Sequence, residues 1–191
     1  TRKEVLERDG NKMDFYVQGS AVYYHQWRHT VPQQVVPLSG DLVATGITAK
    51  TWHHVAITRK GTNSKIFLDG SLKQQKEAAD FTGLTGNYYL GWYNTTNNAP
   101  IVIDELRLSN IERYTSNFTP QTTPFVRDEF TKLLLHFDEG GNDPRNTGKA
   151  IDDSGNGNHG TITGAKYVTG IVGIDSSAQE TGALPTQPYA S

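Results

Sequence analysis

Residues 51–70, which read TWHHVAITRKGTNSKIFLDG, constrain the fold more than any other segment of the chain. They describe a strand, a short polar turn, a second strand and a tight reversal at Asp69-Gly70. The β-branched and aromatic residues of this segment suit a pleated, half-buried surface. Gly61 and Asp69-Gly70 supply the backbone freedom that hairpin turns need. The pattern indicates antiparallel β-structure, and such a fold carries its function on loops and strand edges.

The rest of the chain repeats this alternation of short strands and turns. The pattern is typical of an all-β, antiparallel jelly-roll sandwich with few short helical turns. Helical turns are predicted only for Thr1–Arg8 and Ile111–Thr115, and a weak helical pattern covers Lys73–Ala79. The predicted strands are Asn11–Gln18, Ser20–Gln26, Leu42–Thr48, Trp52–Arg59, Lys65–Leu68, Leu72–Gln75, Asn87–Tyr93, Pro100–Ser109, Lys132–Phe137, His159–Thr163 and Tyr167–Ile171.

Composition excludes several classes of function. The 191-residue chain contains no cysteine, which rules out thiol catalysis, zinc-thiolate sites and disulfides. The net charge of −2 argues against binding to nucleic acid through phosphate neutralisation. No apolar run approaches the roughly 18 residues that a membrane-spanning helix needs, so membrane insertion is not expected.

The hairpin segment resembles the central hairpin of laminin-G-like, concanavalin-A-like jelly-roll domains, in which a W-x-H-V-A-x-T strand precedes a strand that ends in D-G. Tyr88–Trp92 and Ile103–Ser109 (IDELRLS) are similar to the closing strands of that family, and Arg113–Phe118 is similar to its usual end. The resemblance covers about residues 11–124. It implies a non-catalytic sandwich, and we predict no enzymatic activity.

Two further segments resemble the same family, but they stand in an unusual order along the chain. Leu133–Asp138 (LLLHFD) and Ile151–Gly160 (IDDSGNGNHG) resemble the first strand and first loop of the same family, which normally precede the central hairpin. The family's F-T-I-E-x-W strand has no clear counterpart. We therefore assign residues 1–125 to the back part of a sandwich and residues 126–191 to front-part strands. These strands would complete the same domain, complete that of a neighbouring copy, or belong to a longer tandem array.

Five carboxylates, from Asp104, Asp138, Glu139, Asp152 and Asp153, form the best candidate constellation. Oxygen ligands from a loop and a strand end suit Ca²⁺. The family resemblance implies a structural calcium held by Asp104 and Asp138, with help from Asp152, Asp153 or nearby backbone carbonyls. Turn-capping acids in solvent are the alternative interpretation.

Other motifs favour structural roles. The G-x-G-x-x-G match at Gly155–Gly160 lacks the strand before it and the helix after it, so a glycine-rich turn is expected. His53 and His54 are neighbours in a strand and face opposite sides, which disfavours a shared metal. A glycosidase would place catalytic acids at alternate positions of one strand, and no such run occurs.

The aromatic candidates for stacking on a sugar are Tyr24, Trp27, Trp92 and Tyr93, although core packing produces the same pattern. The leading hypothesis is a structural module of an extracellular, virion or cell-surface assembly. Its partners would be copies of itself, joined by strand complementation into an oligomer or a filament. The alternative is a glycan-binding or adhesion module, and a hydrolase remnant is a third class.

Overall fold

A computed structural model of the chain describes residues 2–8, 13–30, 34–37, 42–77, 87–91, 101–140, 143–145, 147–168 and 170–171; for 2–4, 7–8, 26–30 and 34–37 it describes the backbone alone. The described part is built from β-strands and contains no helix. This confirms the all-β class that the sequence predicts. In chain order the strands are β1 (Arg2–Arg8), β2 (Met13–Gln18), β3 (Ala21–Thr30), β4 (Gln34–Pro37), β5 (Leu42–Thr45), β6 (Val55–Lys60), β7 (Asn63–Leu68), β8 (Ser71–Glu77), β9 (Tyr88–Leu90), β10 (Leu106–Ser109), β11 (Thr131–Leu135), β12 (Lys149–Ala150) and β13 (Gly160–Thr161).

The chain divides into two compact units. The first contains Thr1–Ala49, His53–Ile101 and Tyr114–Pro120, and the second contains Lys50–Trp52, Val102–Arg113 and Gln121–Ser191. In the first unit one sheet has the order β4-β3-β2-β1-β9, and β5 also pairs with β3. The other sheet of this unit has the order β6-β7-β8. The paired strands in both sheets are antiparallel.

The core of the first unit lies between these two sheets. The larger sheet contributes Val22, which is fully buried, and the smaller sheet contributes Ile66 and Leu68. Side chains at every second position of a strand share one face, which explains why alternate residues enter the core. Burial of such apolar surface contributes about 25 cal/mol per Å². The buried cluster as a whole comprises Val22, Tyr24, Leu42, Ala44, Ile66 and Leu68.

The turn between β7 and β8 depends on its glycine. Asp69 and Gly70 both have positive φ, at 51° and 76°, as a type I′ hairpin turn requires. A Cβ at Gly70 would lie 1.9 Å from the Phe118 carbonyl oxygen, so a larger residue does not fit. The Asp69-Gly70 turn that the sequence predicts is therefore required both by backbone conformation and by space.

The described strands of the second unit form two short antiparallel pairs. β10 pairs with β11, with Leu106 opposite Leu135 and Leu108 opposite Leu133. β12 pairs with β13, and Leu135 also bridges to Asp152. Leu134 and Leu135 are buried, at 1% and 3% exposure. The apolar LLL run is thus a buried strand, as the sequence predicts.

Four local expectations need correction. The described part of Thr1–Arg8 forms the strand Arg2–Arg8 rather than helical turns. β1 pairs with both β2 and β9 and buries Leu6, and this pairing outweighs local helix propensity. Lys73–Ala79 shows no helix in its described part, since β8 runs to Glu77 beside β7. Ile111–Thr115 is irregular, and so are the described residues of Tyr167–Ile171.

Candidate functional site

Acidic residues meet at one end of the β10–β11 pair. Asp104 and Glu105 directly precede β10, and Asp138 and Glu139 closely follow β11. Leu106 and Leu135 lie opposite each other in this antiparallel pair, so the start of β10 adjoins the end of β11. The pairing therefore gathers carboxylates that are more than 30 positions apart in the sequence.

At the acidic end, a hydrogen bond between the side chains of Glu105 and His136 joins the residue before β10 to the residue after β11. Glu105 Oε1 lies 2.7 Å from His136 Nδ1, and its Oε2 accepts the Phe125 N–H at 2.9 Å. The Glu105 side chain is 7% exposed. His136 Nε2 lies 3.8 Å from Asp153 Oδ2, so the imidazole stands between two carboxylates. Glu105 has a φ of 54°, which is a costly conformation for a residue with a side chain.

Two of the predicted calcium ligands, Asp104 and Asp138, lie at the acidic end and are close enough for their charges to interact. Burial raises the pKa of Asp138, and the nearby charges of Asp104 and Glu105 raise it further. Asp104 Oδ2 accepts the Ile171 N–H at 2.7 Å. A Cβ at Gly170 would lie 2.7 Å from that same oxygen, so glycine permits the close approach. A cation at this pair would relieve the repulsion between the two carboxylates.

Asp152 has a different role, because backbone amides already occupy both of its oxygens. Oδ1 accepts the N–H groups of Leu134 and Ser154 at 3.0 and 2.9 Å, and Oδ2 accepts that of Asn158 at 2.9 Å. Burial alone raises the pKa of Asp152, but the hydrogen bonds from Ser154, Leu134 and Asn158 outweigh it, and the net shift is downward. Asp152 thus holds its own loop against β11.

Asparagine side chains of the same loop donate hydrogen bonds to backbone carbonyls at the start of β11. Asn158 Nδ2 donates to the Lys132 carbonyl at 3.0 Å, and Asn156 Nδ2 lies 3.2 Å from the carbonyls of both Thr131 and Lys132. The Asp153 N–H donates to the Leu134 carbonyl at 2.8 Å. We call residues 152–158 the edge clasp. The edge clasp protects one edge of β11, in the way that natural sheets protect exposed edges. These hydrogen bonds give the asparagines of the Gly/Asn-rich turn at Gly155–Gly160 a structural role.

The four predicted calcium ligands therefore divide into two pairs. Asp104 and Asp138 lie at the acidic end, and carboxylate oxygens are the type of ligand that a hard cation takes. Asp152 is engaged by three amides, and Asp153 Oδ2 lies 3.4 Å from Arg145 Nη1. Within the ranges that the structure describes, no group of three or more His, Cys, Asp or Glu side chains is placed to hold a metal. A cation at the acidic end would have only the carboxylates of Asp104 and Asp138 as described protein ligands, and Asp152 has no free oxygen to offer it.

Glu139 is fully buried beside Tyr167. Its Oε2 accepts the Tyr167 hydroxyl at 3.0 Å, while Oε1 has no hydrogen-bond partner in the described part of the chain. The Tyr167 oxygen also lies 2.9 Å from the Lys149 carbonyl. Burial and the neighbouring Glu139 raise the pKa of Tyr167 to about 12. This contact ties the segment after β13 to the acidic end.

A bidentate ion pair between Arg113 and Asp128 has no counterpart among the sequence predictions. Arg113 binds both oxygens of Asp128, at 2.9 and 2.6 Å, and its Nε donates to Ser109 Oγ at 2.6 Å. Asp128 also accepts the Thr131 hydroxyl. The hydrogen bonds from Arg113 and Thr131 hold the pKa of Asp128 well below its usual range. The pair braces β10 against the start of β11.

His53 and His54 lie just before β6 rather than within a strand, and they contact different partners. His53 Nδ1 lies 2.8 Å from Asp69 Oδ2, and its Nε2 lies 3.0 Å from both the amide nitrogen and the hydroxyl of Thr48. His54 packs edge-on against Tyr114 and Phe118. Both histidines therefore have structural contacts in the hairpin region.

Tyr24 is the one aromatic candidate for sugar stacking whose side chain the structure describes. Tyr24 is 8% exposed and belongs to the core cluster, so its ring packs inside rather than facing solvent. Trp27 lies in β3, where only the backbone is described. Trp92 and Tyr93 lie outside the described residues.

Comparison with known proteins identifies the family. The family model described as the concanavalin A-like lectin/glucanases superfamily, of the laminin G type, matches residues 5–116. No curated protein and no solved structure gives a significant match. Among the residues that the structure describes there is no helix of the length and apolar character needed to cross a membrane. The matched segment is more than half of the chain, and its fold is all-β. The chain therefore belongs to the concanavalin A-like lectin/glucanase superfamily.

Proposed function

We propose that the chain is a non-catalytic structural module of an extracellular, virion-surface or cell-surface assembly, and that it joins to copies of itself by strand complementation. The observation that carries this proposal is the β10–β11 pairing. β10 lies inside the segment that matches the family, whereas β11 lies beyond its end. A strand from outside the matched domain thus pairs with that domain's closing strand.

The same contacts can be made within one chain or between chains. An element that pairs with its own chain can pair identically with another copy, as in domain swapping. Because the edge clasp covers one edge of β11, complementation would use the edge that faces β10. Repeated head-to-tail exchange would give an open filament, and reciprocal exchange would give a closed dimer.

Cysteine pairs test which arrangement occurs, because the native chain has no cysteine. Leu108 and Leu133 lie directly opposite each other, so Leu108→Cys and Leu133→Cys place two thiols within reach of a disulfide. Mixed, differently tagged chains that each carry one of these substitutions form a disulfide only if β11 pairs between chains. The double variant forms an internal disulfide if β11 pairs within its own chain.

A covalent heterodimer in the mixture supports self-assembly by complementation. An internal disulfide in the double variant, together with no heterodimer and a monomeric mass by light scattering, contradicts it. Arg107→Cys combined with Leu133→Cys is the matched control, since Arg107 neighbours Leu108 in the regular part of the pairing and points to the opposite face.

A structural calcium at Asp104 and Asp138 is part of the proposal. The raised pKa of Asp138 supports it, because two neighbouring carboxylates are costly without a counter-ion. The ion would neutralise these charges and fix the end of β11 near the start of β10. Thermal unfolding of the native chain with added calcium and with a chelator tests this, and equal midpoints would contradict it.

Glycan binding is the alternative function, because the superfamily includes lectins. Among the aromatic candidates, only Tyr24 has a described side chain, and it is buried. Loss of binding to a glycan array in Trp92→Ala would favour this alternative.

A further inference from the structure

One of the side-chain amides that join the edge clasp to β11, that of Asn156, must act as a hydrogen-bond donor to several acceptors. Asn156 Nδ2 lies 3.2 Å from the Thr131 carbonyl, 3.2 Å from the Lys132 carbonyl and 3.0 Å from Ser154 Oγ. Carbonyl oxygens only accept hydrogen bonds, so the contacts with the strand require an N–H at position 156.

The residue after Asn156 is glycine, and this is the only Asn-Gly pair in the sequence. Both residues are exposed, and Gly157 has a φ of 73° with no heavy atom near the position of a Cβ. Because glycine has no side chain, its backbone nitrogen is unusually free to approach the preceding side chain. Asn158 is a natural comparison in the same loop, since His159 follows it.

We propose that Asn156 is a site of spontaneous deamidation, and that this modification opens the edge clasp from β11. The backbone nitrogen of Gly157 loses its proton and attacks Cγ of Asn156. Ammonia leaves as the new C–N bond closes a five-membered imide. Water then opens either carbonyl of the imide and leaves aspartate or isoaspartate at position 156.

The product has the opposite hydrogen-bonding character. A carboxylate has no N–H to donate, and it would face the carbonyl oxygens of Thr131 and Lys132. The hydrogen bonds would be lost and the negative charge would be repelled. The clasp also controls the reaction, because the Asn156 side chain must leave its acceptors before Cγ can meet the Gly157 nitrogen.

The full chain is incubated at mildly alkaline pH, natively and in urea, and the tryptic peptide 150–166 is followed by mass spectrometry. This peptide holds both Asn156 and Asn158. We expect Asn156 to convert and Asn158 to remain. Conversion should be slower in the native chain than in urea, and faster in native Ser154→Ala, which removes one acceptor. Equal rates in the native chain and in urea, or conversion confined to Asn158, overturn the proposal.

The effect on the clasp is measured by amide exchange at Leu134, Ser154 and Asn158, whose N–H groups bind Asp152. Asn156→Asp should speed this exchange about tenfold or more, since each lost hydrogen bond changes an opening equilibrium by about two- to tenfold. Asn156→Gln keeps the amide and is the control. If exchange in Asn156→Asp equals that in the native chain, modification does not open the clasp and the proposal fails.

Discussion

The substitution Asp152→Ala tests whether this carboxylate is the anchor of the edge clasp. Asp152 is 4% exposed and accepts three backbone N–H groups. Its removal leaves the buried Leu134 amide without that partner, at a cost of about 1–3 kcal/mol. The Ser154 and Asn158 amides can be hydrated when the loop opens, and they cost about 0.5–1.5 kcal/mol each. We expect a loss of about 2–6 kcal/mol, a large fraction of the stability of a typical domain.

Urea unfolding in the presence of a chelator measures this loss without any metal contribution. Asp153→Ala is the matched control, because that neighbouring side chain makes only long contacts at a partly exposed position. It should change the free energy of unfolding by less than about 1 kcal/mol. Equal effects of the two substitutions would refute the clasp. A loss in Asp152→Ala that appears with calcium and vanishes with the chelator would instead make Asp152 a metal ligand.

Three further predictions concern charge and packing in the second unit. Because the pKa of Asp128 is lowered, its pairing with Arg113 stabilises the fold above the ordinary carboxyl pKa of about 4, and this stability is lost as the pH falls below that value. In an acid titration, Asp128→Asn should therefore lose stability less steeply than the native chain. Because the pKa of Asp138 is raised, its ionised form costs stability at neutral pH. In chelator, Asp138→Asn should therefore unfold at a higher temperature than the native chain, and its unfolding temperature should not respond to calcium. A lower unfolding midpoint of Asp138→Asn in chelator would contradict this. Leu134→Ala should cost about 2–5 kcal/mol in urea unfolding, because Leu134 is 1% exposed, and a change below about 1 kcal/mol would mean that β11 is not buried.

The sequence predicts the parts of the fold that repeat with a short period. The hairpin of β6 and β7 follows from alternating apolar residues and from turn glycines, and both signals are local. The sequence does not predict β1, because the local pattern of residues 1–8 also suits a helical turn, whereas the partners β2 and β9 that bury Leu6 lie elsewhere in the chain.

The sequence predicts the candidate site only in part, because it does not distinguish an aspartate that binds a cation from one that accepts hydrogen bonds from backbone amides. Asp152 lies in a turn-rich loop where both roles are common, and only the folded positions of the Leu134, Ser154 and Asn158 amides reveal that its oxygens are occupied. The pairing of Arg113 with Asp128 spans an irregular segment, and no periodic pattern marks such contacts. Glu105 lies inside the predicted strand Pro100–Ser109, whereas β10 begins only at Leu106, and the burial of Glu105 beside His136 depends on the β10–β11 register.

Amide hydrogen exchange of Leu133, Leu134 and Leu135 tests the central claim most directly, namely that a strand beyond the matched segment is built into the sheet beside β10. The pairing with β10 and the hydrogen bond from Leu134 to Asp152 predict that these amides are among the slowest to exchange in the chain, whether β11 pairs within one copy or between copies. Exchange of all three at the rate of an unstructured peptide would contradict the account.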